Sequence, residues 1–289
     1  SHMAVLLNRE EWVEQAYFFR TLRERLAQNL PAQEILQRID MELLASTRMP
    51  MAAQFLAAEM KHTGNLASGF VRLSHYFTPF QGFVVSNAEA ENLRFATETA
   101  LTILEKEALY KAGGAGPSGL FVFQFESISR HRLGYDGGLP AMAGDPLYDE
   151  VWRQFLQDLR YQIGLIDFAD LLYLRSEAYL IDQRRTEPDY QPPLPALLTE
   201  KEGRIAGANR GRDPLYLFAA LQRQLGYPEV PRAKQEDTLS NAIVTLKARQ
   251  KDLEARIKLL ETEMRGTLDL KTLKELGQPE MLKPPEDIP

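Results

Sequence analysis

Three arginines, Arg204, Arg210 and Arg212, follow one another in the run EKEGRIAGANRGRD (residues 200–213), with no acidic residue between them. Glycine lets backbone N–H groups come close to a ligand, and a guanidinium grips phosphate or carboxylate through two parallel hydrogen bonds. The pattern marks a candidate anion site, to which Arg184 and Arg185 lie at the other end of the same polar stretch. The competing account is a solvated loop whose arginines pair with the chain's own carboxylates, since Asp and Glu outnumber Lys and Arg by 40 to 34.

Other chemistry-bearing residues form no complete set. Glu59 and His62 have the Glu-x-x-His spacing that di-iron bundles use, but such a site needs a second copy, and none follows. His75 stands beside Tyr76 and Phe77 and reads as a packed or capping histidine; His131 lies among arginines, near Asp136. The glycine-rich stretch at 113–119 lacks a phosphate-loop lysine, and it follows a helical pattern rather than leaving a strand. Phe121, Phe123 and Phe125 lack the basic motif of RNA-binding sheets and read as core. No Gly-x-Ser-x-Gly elbow occurs. The reading therefore assigns no catalytic residue, no metal ligand and no cofactor.

Composition narrows the classes further. The 289 residues carry a formal net charge of -6, which weighs against nucleic acid as the main partner. The absence of cysteine excludes disulfides, thiolate nucleophiles and cysteine-based metal sites. No apolar run is long enough to span a bilayer. Ser1-His2-Met3 reads as a tag remnant with no signal peptide after it, so a cytoplasmic location is expected.

The elements that must position these residues read as follows. Trp12, Ala16, Phe19, Leu22 and Leu26 recur at helical spacing, and further helical stripes run through Ile35–Leu43, Phe55–Met60 and Leu66–Phe77. GFVVS (82–86) reads as a short β-branched run, after which Ser86 or Asn87 caps a long helix to about Lys111. LFVFQF (120–125) is the clearest strand expectation, with further short strands at 171–175 and 178–181. Asp145-Pro146 and Asp213-Pro214 each carry helix-start chemistry, in the repeated tetrapeptide Asp-Pro-Leu-Tyr.

The strongest pattern is a heptad. Leu239, Ile243, Leu246, Gln250, Leu253, Ile257, Leu260 and Met264 alternate in steps of four and three. Leucine at d with isoleucine at a favours two parallel strands, and one polar residue at a fixes register at some cost in stability. In a parallel pair Arg249 meets Glu254 and Arg256 meets Glu261 across the seam, whereas a centred antiparallel pair sets Arg256 against Arg256. The same charges also pair within one helix, as Asp252 with Arg256, so a surface helix folded on its own body stands as the alternative.

The stretch HTGNLASGFVRLSHYF (62–77) is similar to a helix hairpin in the cytoplasmic domains of type II secretion F-type proteins. That resemblance covers about 16 residues, without that family's membrane helices, and implies no function here. The expected organisation is mainly α with a small α+β central region: a helical bundle (4–112), an α+β region (113–183), an Arg/Gly/Pro linker (184–212), a short helical segment (213–232), a coiled-coil helix (236–266) and a disordered tail (277–289). The expected function is a non-enzymatic scaffold or adaptor that forms a parallel homodimer or meets a protein partner through the heptad, with no membrane partner. The alternative is an enzyme or regulator that holds a phosphorylated small molecule through Arg204, Arg210 and Arg212.

Overall fold

Asn8 opens the first helix by accepting the Glu11 N–H at 3.1 Å, the side-chain cap that an otherwise unpaired helix N-terminus requires. The computed structural model describes residues 5–91, 95–233 and, in a C-terminal helix, residues 246, 247, 250, 251, 253, 254, 257, 258, 260, 261 and 264. The chain divides into two compact units, 1–233 and 234–289. The first holds thirteen α-helices among its described residues.

Helix α1 (Arg9–Ala27) buries Trp12, Ala16, Phe19 and Leu22 and runs along α6 (Thr97–Ala112). α2 (Ala32–Ile39) lies on α3 (Met49–Thr63), which ends at Gly64 with φ 76°, a left-handed cap that suits glycine. The intervening loop is tied to α1 by two buried carboxylates: Glu14 accepts the Leu44 N–H at 2.8 Å and Glu11 the Arg48 N–H at 2.9 Å. Glu89, at the end of α5 (Pro79–Glu89), caps α4 (Ala67–Arg72) by accepting the N–H groups of Leu66 and Ala67 at 2.5 and 2.9 Å.

The β-branched run at 82–86 and the strand expected at 120–125 are both helical. Residues 82–86 sit inside α5, which Thr78 and Gln81 start with a reciprocal capping box and Pro79 in the first turn. Ser86 and Asn87 therefore fall in the last turns of α5 rather than capping a helix to Lys111; Ala90 is extended, and α6 starts afresh at Thr97. Residues 120–125 lie in α7 (Pro117–His131), where every residue from Gly119 to Ile128 is buried. A helix packed on all sides is apolar all round, and its sequence resembles a buried strand. The other expected strands are α10 (Phe168–Leu174) and α11 (Glu177–Thr186). Among the described residues the only β pairing is two isolated bridges, Ile163 with Ile166 and Ser176 with Leu198, so the fold is mainly α, and the expected central α+β region is corrected to helices.

Around α7 pack α8 (Tyr135–Ala143), α9 (Glu150–Gln162) and α13 (Pro214–Leu225), and its ring Phe125 stacks on Phe168 with centroids 4.1 Å apart. Asp145 does not cap α9; Asp149 does, accepting the Trp152 N–H at 2.9 Å. The stretch 184–212 is likewise more than a linker, because α12 (Glu200–Ala208) buries Glu202, Gly203 and Ala206. Beyond α13 the chain crosses back as a strap. Tyr227 and Val230 are buried, the Tyr227 hydroxyl donates to Glu126 at 2.8 Å, and Lys106 donates to the Glu229 carbonyl at 2.7 Å. Leu239, Ile243 and the expected tail at 277–289 lie outside the described residues.

Candidate functional site

The heptad positions that the structure describes are helical and exposed. Leu246, Leu253, Ile257, Leu260 and Met264 show 54–64% of their surfaces to solvent. Gln250, the polar residue in the a series, donates to Glu254 of its own helix at 3.0 Å. An amphipathic helix gains most of its stability by burying its apolar stripe, and this stripe is offered outward.

The candidate arginines have separate surroundings. Arg204, on α12, donates to Asp182 of α11 at 2.7 Å and lies 3.5 Å from Glu200. Its hydrogen bond, with a second from the Tyr173 hydroxyl at 2.6 Å, holds Asp182 below the usual carboxylate range. Arg210 pairs with Asp170 at 2.7 Å and lies over the Tyr173 ring, 4.1 Å from its centroid. Arg212 is exposed in the turn before α13, and Gly211 donates its N–H to Asp167 at 2.8 Å. Tyr173 brings Arg204 and Arg210 to one neighbourhood, through Asp182 on one side and its ring face on the other. An anion at this place would have to compete with Asp182 and Asp170, charges of its own sign.

A second polar cluster was not legible in the sequence. Lys111, Glu107 and Asp145 are essentially inaccessible: the lysine ammonium lies 2.5 Å from Asp145 Oδ2 and 3.2 Å from Glu107 Oε1. Gln124 of α7 donates to Glu107 at 2.9 Å and accepts from the Tyr148 hydroxyl at 2.8 Å. The Trp12 ring covers the ammonium at 4.5 Å. Burial raises the Glu107 carboxyl above its ordinary range, opposed by Lys111 and reinforced by Asp145. Burial disfavours the Lys111 charge, but Asp145 and Glu107 outweigh it and hold the ammonium above the usual lysine value. Burial, then the two carboxylates, pushes the Tyr148 phenol well up. These are titratable groups with perturbed affinities, which in an open cleft would suggest catalysis. Here they are sealed among helices and engage one another, with Glu107 Oε1 near the ammonium but accepting no hydrogen bond, an arrangement that holds α6, α7 and the 145–149 turn together.

The histidines offer little else. His62 and His75 are exposed, so of the packed or capping roles expected for His75 the packed one does not hold, and Glu59 is engaged by Arg72 at 2.7 Å. His131 faces the Pro231 carbonyl through Nε2 at 2.7 Å, while Asp136 pairs with Arg160 at 3.4 Å. Among the described residues no three His, Asp or Glu side chains converge on a metal position, and no helix is long and apolar enough to cross a membrane. No protein-family model, curated protein or solved structure matches this chain.

Proposed function

We propose that the protein is a non-enzymatic cytoplasmic scaffold that pairs with a second copy of itself through the C-terminal helix, as a parallel two-stranded coiled coil. The observation that carries this reading is the outward exposure of Leu246, Leu253, Ile257 and Leu260, all at heptad positions of one helix. Soluble proteins rarely leave a contiguous apolar stripe in water unless a partner covers it. The choice of an identical, parallel partner rests on the attractive Arg249–Glu254 and Arg256–Glu261 pairings across the seam and on leucine at d. The sealed Lys111 cluster supports the same reading in another way: its ionisable side chains, shifted by burial, are engaged with one another and shut off from solvent.

The test is the solution mass of the full chain against the same chain carrying Leu253→Asp. A dimer that becomes a monomer supports the scaffold reading. A monomer in both removes it.

A further inference from the structure

Natural interiors pack like organic crystals, with few voids larger than a water molecule. One pocket of this protein, partly open to solvent, is far larger than such a void. About 300 Å³ lies between six helices, walled by Leu22 of α1, Ala32 of α2, Met60 of α3, Phe70 of α4, Val85 of α5 and Ala100 of α6. That is about twice the volume of an apolar cavity known to take up benzene, and it falls within the size range of ligand sites. Its wall is fixed in advance: Phe70 stacks on Phe77 at 4.1 Å and on Phe19 at 6.3 Å. Small residues, Ala88 and Ala100, line it where longer side chains would fill the space.

Two of the described lining residues are polar, Glu89 and Thr97. Glu89 already accepts two backbone N–H groups, those of Leu66 and Ala67. Leu26, Thr97 and Leu101 line both the cavity and an adjoining depression of about 210 Å³ that adds Arg23 and Glu98. Arg23 donates there to Thr102 at 3.0 Å and to Glu105. A carboxylate or phosphate head would meet Glu98 there and find Arg23 already held by Glu105. An uncharged hydroxyl can exchange hydrogen bonds with the Thr97 hydroxyl, and an ester can accept from it.

We infer that this pocket binds a single-chain amphiphile, its alkyl chain among the six helices and its uncharged head in the depression beside Thr97 and Arg23. The site lies wholly within residues 1–233 and does not depend on the pairing of the C-terminal helix.

The experiment is a fluorescence titration of the full chain with the neutral apolar dye N-phenyl-1-naphthylamine, followed by displacement with 1-decanol and with decanoate. The expected result is a saturable signal at one dye per chain, displaced by decanol at lower concentration than by decanoate. Ala100→Phe fills the cavity and Ala88→Leu narrows it nearer the surface; either variant that keeps the wild-type circular dichroism should bind the dye about tenfold or more weakly, a loss of about 1.4 kcal/mol. A signal that does not saturate, equal binding by a folded variant, or tighter displacement by decanoate would each overturn the inference.

Discussion

The ammonium of Lys111 rests against the carboxylate of Asp145 at 2.5 Å, with both side chains 1% exposed and 34 residues apart in the chain. Two charges withdrawn from water in this way hold a fold together only as a set. Lys111→Met leaves Asp145 buried without its cation, and should lower the unfolding free energy by about 3–5 kcal/mol. The triple change Glu107→Gln, Lys111→Met, Asp145→Asn removes the charge altogether, while the amide oxygen introduced in place of the Asp145 carboxylate can still accept the Leu147 N–H. It should recover most of the loss in a urea titration. If the single and triple variants are equally unstable, the cluster does not act as a unit.

The packing of α12 gives a paired prediction. A Cβ on Gly203 would lie 2.1 Å from Ser176 Oγ and 2.7 Å from Ala178 Cβ, whereas one on Gly207 would find its nearest atom, in Tyr173, at 3.7 Å. Gly203→Ala should therefore destabilise by about 1–3 kcal/mol through overpacking. Gly207→Ala should stabilise by about 0.5–1 kcal/mol, because alanine loses less backbone freedom in a helix. Thermal midpoints that move in the same direction for both would contradict this account of α12.

His131 supplies the pH dependence. Burial lowers its affinity for a proton, opposed by the Pro231 carbonyl and assisted by the neighbouring Arg130. A group whose folded value is depressed contributes stability above its unfolded value, near 6.5, that is lost as pH falls through the folded value. The unfolding midpoint should thus fall between pH 7 and pH 5 by more in the wild type than in His131→Gln, which keeps a donor for Pro231. Parallel pH profiles for the two proteins would sink this assignment.

Arg210 separates structural pairing from ligand binding. Its partners, Asp170 and the Tyr173 ring, are partly exposed, so Arg210→Ala should cost about 1 kcal/mol. Thermal midpoints should not respond to nucleotides or sugar phosphates in either protein. A rise in the wild type that disappears in Arg210→Ala would instead favour the anion-site alternative.

The tetrapeptide Asp-Pro-Leu-Tyr marks how far the sequence could be read. At 213–216 it does what its local chemistry says: Asp213 accepts the Leu215 N–H at 3.0 Å, Pro214 begins α13 and Tyr216 is exposed. At 145–148 the same residues are drawn into the interior, where Asp145 meets Lys111 and Tyr148 meets Gln124. Local propensity cannot foresee partners 24 and 34 residues away. The helical stripes of α1 to α4 were legible because one face is buried and the period shows. α7 was not, because its burial on every side erases the period; Pro117 after Gly116 was the remaining helix signal. Glu107 and Lys111, four residues apart, look like any surface pair until α7 covers them.

The central claim is that the exposed heptad face joins two copies of this chain. Light scattering on the 289-residue chain and on the same chain with Leu253→Asp tests it most directly. The account predicts a mass near twice that of one 32.9 kDa chain for the first and near one chain for the second. Equal masses for the two proteins, whether monomer or dimer, would contradict it.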